Sequence, residues 1–65
     1  MKKFSVMCIV YDNGIDFIQV PCVHANDKEE AGRRAVEILK GQGYEQVELA
    51  PDMYGMGINI MQIND

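Results

Sequence analysis

Enzyme chemistry needs convergent polar groups, and this sequence has few to converge. It holds one histidine, His24, and one serine, Ser5. A Ser-His-Asp arrangement would have to be built from that pair, and nothing around Ser5 marks it as a nucleophile. The two cysteines, Cys8 and Cys22, do not form a C-x-x-C pair, and no Cys/His cluster has zinc spacing. No apolar run approaches the ~20 residues of a membrane span. Six Lys and Arg stand against ten Asp and Glu, for a net charge of -4. That balance argues against general affinity for nucleic acid, which comes mainly from Lys and Arg displacing counterions from phosphates. The acidic residues are spread along the chain and form no tail, so charge mimicry of DNA has little support.

What is present is a small apolar chain. Its 65 residues point to one α+β domain over 1–65 with a thin core. A domain near this size buries only about 60% of the surface its unfolded chain exposes, so it gains from a partner or from self-association. The hydrophobic fraction, 48%, is that of a globular chain and too high for a disordered one. Met1-Lys2-Lys3 runs straight into a strand pattern with no apolar leader region. The expectation is a cytoplasmic protein with reduced thiols, complete as a small gene product.

The strongest local signal is a hairpin. Phe4 to Tyr11 and Ile15 to Val23 flank Asp12-Asn13-Gly14, and Asn-Gly between two strand-like runs favours a two-residue type I′ turn. In that register Val10 faces Phe17, Ile9 faces Ile18, Met7 faces Val20, Val6 faces Pro21 and Phe4 faces Val23. One sheet face then holds Phe4, Val6, Cys8, Val10, Phe17 and Val23. The other holds Met7, Ile9, Tyr11, Ile18, Val20 and Cys22, so both faces are apolar. Pro21 cannot donate a ladder hydrogen bond, which places this strand at an edge or puts a bulge there.

A helix follows. Asn26 or Asp27 caps it, with Glu29 or Glu30 three residues on. Ala31, Ala35, Ile38 and Leu39 form its buried stripe. Glu29-Arg33, Glu30-Arg34 and Arg33-Glu37-Lys40 lie at pairing distance on the water side. Gly41 or Gly43 ends it. Two more alternating runs, Tyr44 to Leu49 and Gly57 to Ile63, flank a turn at Pro51-Asp52. The order is therefore β-β-α-β-β: an antiparallel four-stranded sheet with one helix on one face.

The candidate sites read mostly as structural. His24 has no constellation to join. Cys8 and Cys22 read as small hydrophobes pointing to opposite faces. Gly55-Met56-Gly57 lacks the strand-to-helix context of a phosphate loop. Arg33 and Arg34 are interleaved with acids, as on a solvated helix face. Asp12 and Asp16 flank a turn. The aromatics lack the basic interleaving of an RNA-binding sheet. Neither catalytic nor metal residues nor a cofactor are expected. Met7, Met53, Met56 and Met61 are frequent for so short a chain, and methionine suits surfaces that must adapt to a partner.

A single helix covers one face of such a sheet. The face left over points to an interface formed by Met7, Ile9, Tyr11, Ile18, Val20, Met61 and Ile63. The expected function is non-catalytic protein binding: a homodimer through that face, with one further protein partner, and neither nucleic acid nor membrane bound directly. The stretch Val23-His24-Ala25-Asn26-Asp27-Lys28-Glu29-Glu30-Ala31, set behind a hairpin, resembles the hairpin-plus-helix domains of HicB-type antitoxins. The Pro-Gly-Cys segment usual before the helix in that family is missing, and a DNA-binding extension after Asp65 is not expected. That resemblance implies, as an alternative, an antitoxin-like regulator reaching nucleic acid through a protein partner. The overall character also resembles short accessory proteins of phages and plasmids, many of which bind one host protein. A small ligand carrier or enzyme is the third alternative, and it would need a pocket with several convergent polar groups.

Overall fold

A computed structural model describes residues 1–63. The elements run β1 (Lys2–Val10), β2 (Asp16–Ala25), α1 (Lys28–Gly41), β3 (Val47–Leu49) and β4 (Ile60–Ile63). All strand pairs are antiparallel, and the helix lies on one face, giving the α+β architecture expected from the sequence. β1 is central. β2 pairs along its whole length on one side, and β3 and β4 share the other.

The period-two alternation of β1 drives its side chains to opposite faces. Phe4, Val6, Cys8 and Val10 point toward the helix and are buried with Val20, Val23 and Ala25 of β2, Ile60 of β4 and Ala31, Ala35 and Leu39 of α1. Ile18, Val36, Tyr44, Val47 and Leu49 pack around that cluster, half-buried.

The hairpin register differs from the expected one. Val10 pairs with Asp16, Ile9 with Phe17, Cys8 with Ile18, Met7 with Gln19 and Val6 with Val20. Of the two turn residues only Gly14 takes positive φ (96°), so Asn13-Gly14 does not form a type I′ turn, and the connection spans residues 11–15. That slips the register by one residue, and a slip of one moves every side chain to the other face. The slip is undone where Pro21 and Cys22 stand together opposite Ser5, a bulge that restores the Phe4–Val23 pair. The consequence is a correction. Ile18 and Val20 lie on the helix side, and Phe17 lies on the open side.

Helix α1 starts as its sequence suggests. The Asp27 carboxylate accepts the Glu30 N–H at 2.8 Å, and Glu30 accepts the Asn26 N–H at 3.0 Å. Of the ion pairs anticipated on the water side, Glu30–Arg34 closes, at 3.3 Å. The buried face is Ala31, Gly32, Ala35 and Leu39, while Ile38, expected in the stripe, is exposed. The helix is turned so that Gly32 meets the third strand position. A β-carbon there would come within 3.2 Å of Leu49 Cδ2 and 3.3 Å of Ile60 Cδ1. Glycine is what lets the helix lie this close.

β3 and β4 are collinear. β3 runs past Val10 to Cys8, and β4 continues past Val6 to Lys3. Between them Met7 is shared: its C=O accepts from Ala50 (3.0 Å) and its N–H donates to Asn59 (2.8 Å). The two segments act as one strand from which residues 51–59 loop out.

Candidate binding surfaces

The helix-free face is set by the odd positions of β1. Ser5, Met7 and Ile9, joined by Tyr11 just past the strand end through its bond to Glu48, share it with Phe17 and Gln19 of β2, Glu48 of β3, and Met61 and Ile63 of β4. Of the seven residues anticipated for this surface, five lie on it: Met7, Ile9, Tyr11, Met61 and Ile63. Ile18 and Val20 are not there, for the register reason above, and Phe17 belongs with the five. A residue with apolar neighbours on both sides, such as Ile18, gives the pattern no means of choosing its face.

The face is not uniformly apolar. Ile9, flanked in the ladder by Phe17 and Glu48, is 7% exposed, whereas Phe17 is 60%, Met61 53% and Ile63 38% exposed. Two side-chain bonds stitch across it, Gln19 Nε2 donating to Ser5 Oγ and the Tyr11 hydroxyl donating to Glu48. The bond to Glu48, with lesser contributions from desolvation and the carboxylate's charge, holds the Tyr11 hydroxyl above its ordinary value.

The second surface is the loop 51–59, which sequence reasoning treated as a turn between strands. Its base is closed by hydrogen bonds. Asn59 Nδ2 donates to the Ala50 C=O at 2.9 Å. Both oxygens of Asp52 accept the Gly57 N–H, at 2.9 and 3.1 Å, and the Asp52 C=O accepts the Gly55 N–H at 3.2 Å. Lys28 reaches over Gly57 from the first turn of α1. Ends held together with side chains projecting outward is the construction of an Ω-loop, a frequent carrier of function. Met53, Tyr54 and Met56 at the tip are exposed, and Ile58 half so. The methionine count was the one sequence signal pointing here.

The remaining candidates resolve into structure. Asp12 accepts the N–H groups of Glu45 (3.0 Å) and Gln46 (2.9 Å), tying the hairpin connection to the start of β3. Gly55-Met56-Gly57 spends the Gly57 N–H on Asp52, which leaves it no cradle for a phosphate. His24 Nε2 lies 3.6 Å from Cys22 Sγ on the exposed edge strand. Cys8 is buried and Cys22 exposed, both as free thiols, and burial pushes the Cys8 thiol up. An open groove between α1 and β3 has a floor of Gly32, Val36 and Leu49 and charged walls. Among the described residues no group of three or more His, Cys, Asp or Glu could hold a metal ion, and no helix is long and apolar enough to cross a membrane. No family model matches this chain, and neither the curated proteins nor the solved structures provide a match.

Proposed function

We propose that the protein is a non-catalytic protein-binding module whose helix-free sheet face pairs with a second copy about a two-fold axis. The observation that carries this is the exposure of Phe17, Met61 and Ile63 on the face that α1 leaves uncovered. Two copies of one apolar patch are self-complementary under two-fold symmetry. Size is consistent with it. The two longer Cα extents, 34 and 27 Å, frame a face on the order of the ~800 Å² per partner that a standard interface takes. With a thin core, the domain gains more than a larger one would from covering that surface.

Light scattering on the purified chain across micromolar concentrations tests it. The expected mass is twice that of the chain. Phe17→Lys and Met61→Lys change exposed positions and leave the core alone, so each should stay folded by circular dichroism and run as a monomer. A wild-type monomer, or lysine variants that keep the dimer mass, overturns the proposal.

A further inference from the structure

We infer that Cys22 and His24 form half of a Zn²⁺ site, which the same two residues of a second copy complete as a tetrahedral centre of two sulfurs and two nitrogens. The site stands at the outer edge of the sheet and does not rest on the sheet-face pair. His24 pairs with Lys3 and Phe17 with Ile9, toward opposite ends of β1.

The geometry of the pair carries it. Residues two apart on a strand project to the same side. Val23 between them is buried, and Cys22 and His24 are both exposed. Cys22 Sγ stands 3.6 Å from His24 Nε2. A tetrahedral zinc ion, with bonds of about 2.3 Å to sulfur and about 2.0 Å to nitrogen, holds those two atoms about 3.5 Å apart. The pair therefore stands at chelating separation before any ion arrives. Binding replaces the S···N contact with two bonds to the metal, and the thiol gives its proton to solvent. Thiolate with imidazole favours Zn²⁺ over the hard cations that prefer oxygen. The surroundings do not repel a cation. Of the residues beside the pair, Arg34 is matched by Glu30 at 3.3 Å, and Glu37 adds a carboxylate. One chain cannot finish the site, because among the described residues no group of three or more His, Cys, Asp or Glu could hold a metal ion. Two positions on the ion are left for another molecule. β2 is the outermost strand on its side of the sheet, so the pair is open to a neighbour. A second copy turned about a two-fold axis through the ion offers an identical pair. Two thiolates then balance the charge of the dication.

The test titrates the full chain, kept reduced with a phosphine, with Co²⁺ as a coloured stand-in for zinc. A sulfur-to-cobalt charge-transfer band should grow and saturate at one cobalt per two chains, and Zn²⁺ should bleach it. Cys22→Ser and His24→Ala change exposed positions, so both should stay folded by circular dichroism, and each should lose the band. Light scattering reads the second copy. Phe17→Lys, which cannot form the sheet-face pair, should double its mass when Zn²⁺ is added, and a chelator should reverse this. If the wild type is a monomer without metal, the same doubling is read on it, so the sheet-face pair can fail alone. The lack of a charge-transfer band at micromolar metal, a band that survives in both variants, or saturation at one cobalt per chain with no change of mass would overturn the inference.

Discussion

Deleting residues 51–59 and joining Ala50 to Ile60 should leave the fold intact and make it more stable. The ladder positions fix where the cut belongs. With nine residues gone, Ala50 stands opposite Met7 between the Leu49–Cys8 and Ile60–Val6 pairs. Its C=O can then accept the Met7 N–H now held by Asn59, while its own N–H keeps the Met7 C=O. The pleat is preserved, since Leu49 and Ile60 stay on the helix side with Ala50 between them on the other. The bonds lost, Asn59–Ala50, Asp52–Gly57, Asp52–Gly55 and the one from the Ile60 N–H to the Gly57 C=O, all have a loop residue as a partner and none belongs to the β1 ladder. Closing a nine-residue loop carries a length-dependent entropic cost of about 2 kcal/mol. Against this, half-buried Ile58 takes away about 1 kcal/mol of burial when it goes. The net gain is about 1 kcal/mol, or about 4–8 °C in Tm for a domain of this size. Differential scanning calorimetry on the wild type and the deletion reads it directly. A deletion that melts several degrees lower, or loses its cooperative transition, would show that the loop holds the sheet together and would refute the single-strand description of β3 and β4.

Three further outcomes follow from side chains already described. Gly32→Val forces a branched side chain against Leu49 and Ile60 and should cost about 1–3 kcal/mol, whereas Gly41→Ala, with open space around it, should stabilise by about 0.4–1 kcal/mol; thermal melts that rank the two the other way would contradict the close helix approach. With a colourimetric disulfide reagent, Cys22 should react promptly and Cys8 only as the domain opens, since Cys8 is buried and its thiol is pushed up; Cys22→Ser should remove the fast phase, and two equally fast thiols would rule out the placement of Cys8. In an ultraviolet-absorbance titration Tyr11 should ionise above the ordinary value of 10.0, and Glu48→Ala should bring it down. Because the folded value is raised, the stabilisation from this bond is fully present below the ordinary tyrosine value and is lost as pH rises through the raised one. An unchanged titration in Glu48→Ala would refute it.

The helix and the first strand were legible because several signals agreed at each. Asp27, Glu30 and the alanine spacing all pointed to one helix, and the alternation of Phe4, Val6, Cys8 and Val10 to one buried face. The register of β2 was not legible, because Phe17, Ile18 and Val20 put apolar side chains on both faces, and a slip of one residue scores equally well. What decided it was a five-residue connection and a compensating bulge, and of these Pro21 gave the only hint. The helix stripe was read one step off at Ile38 because nothing in a periodic pattern credits glycine with a contact, and Gly32 makes one by having no side chain. The helix-free face was therefore recovered in five of its members and misplaced in two. The loop was hidden for another reason. Two short alternating runs separated by a turn look the same whether they lie side by side or end to end, and only the pairing partner on β1 tells them apart.

The central position of β1 also sets an order of events during folding. The hairpin, Lys2–Val10 with Asp16–Ala25, and the helix behind it are close in sequence and can form early. The other edge of β1 has to wait. Lys3 to Val6 find their partners in Ile60 to Ile63, close to sixty residues later. Until those residues leave the ribosome, β1 presents an open edge next to a half-covered core. That is the interval in which a nascent chain is most exposed to pairing with the wrong strand.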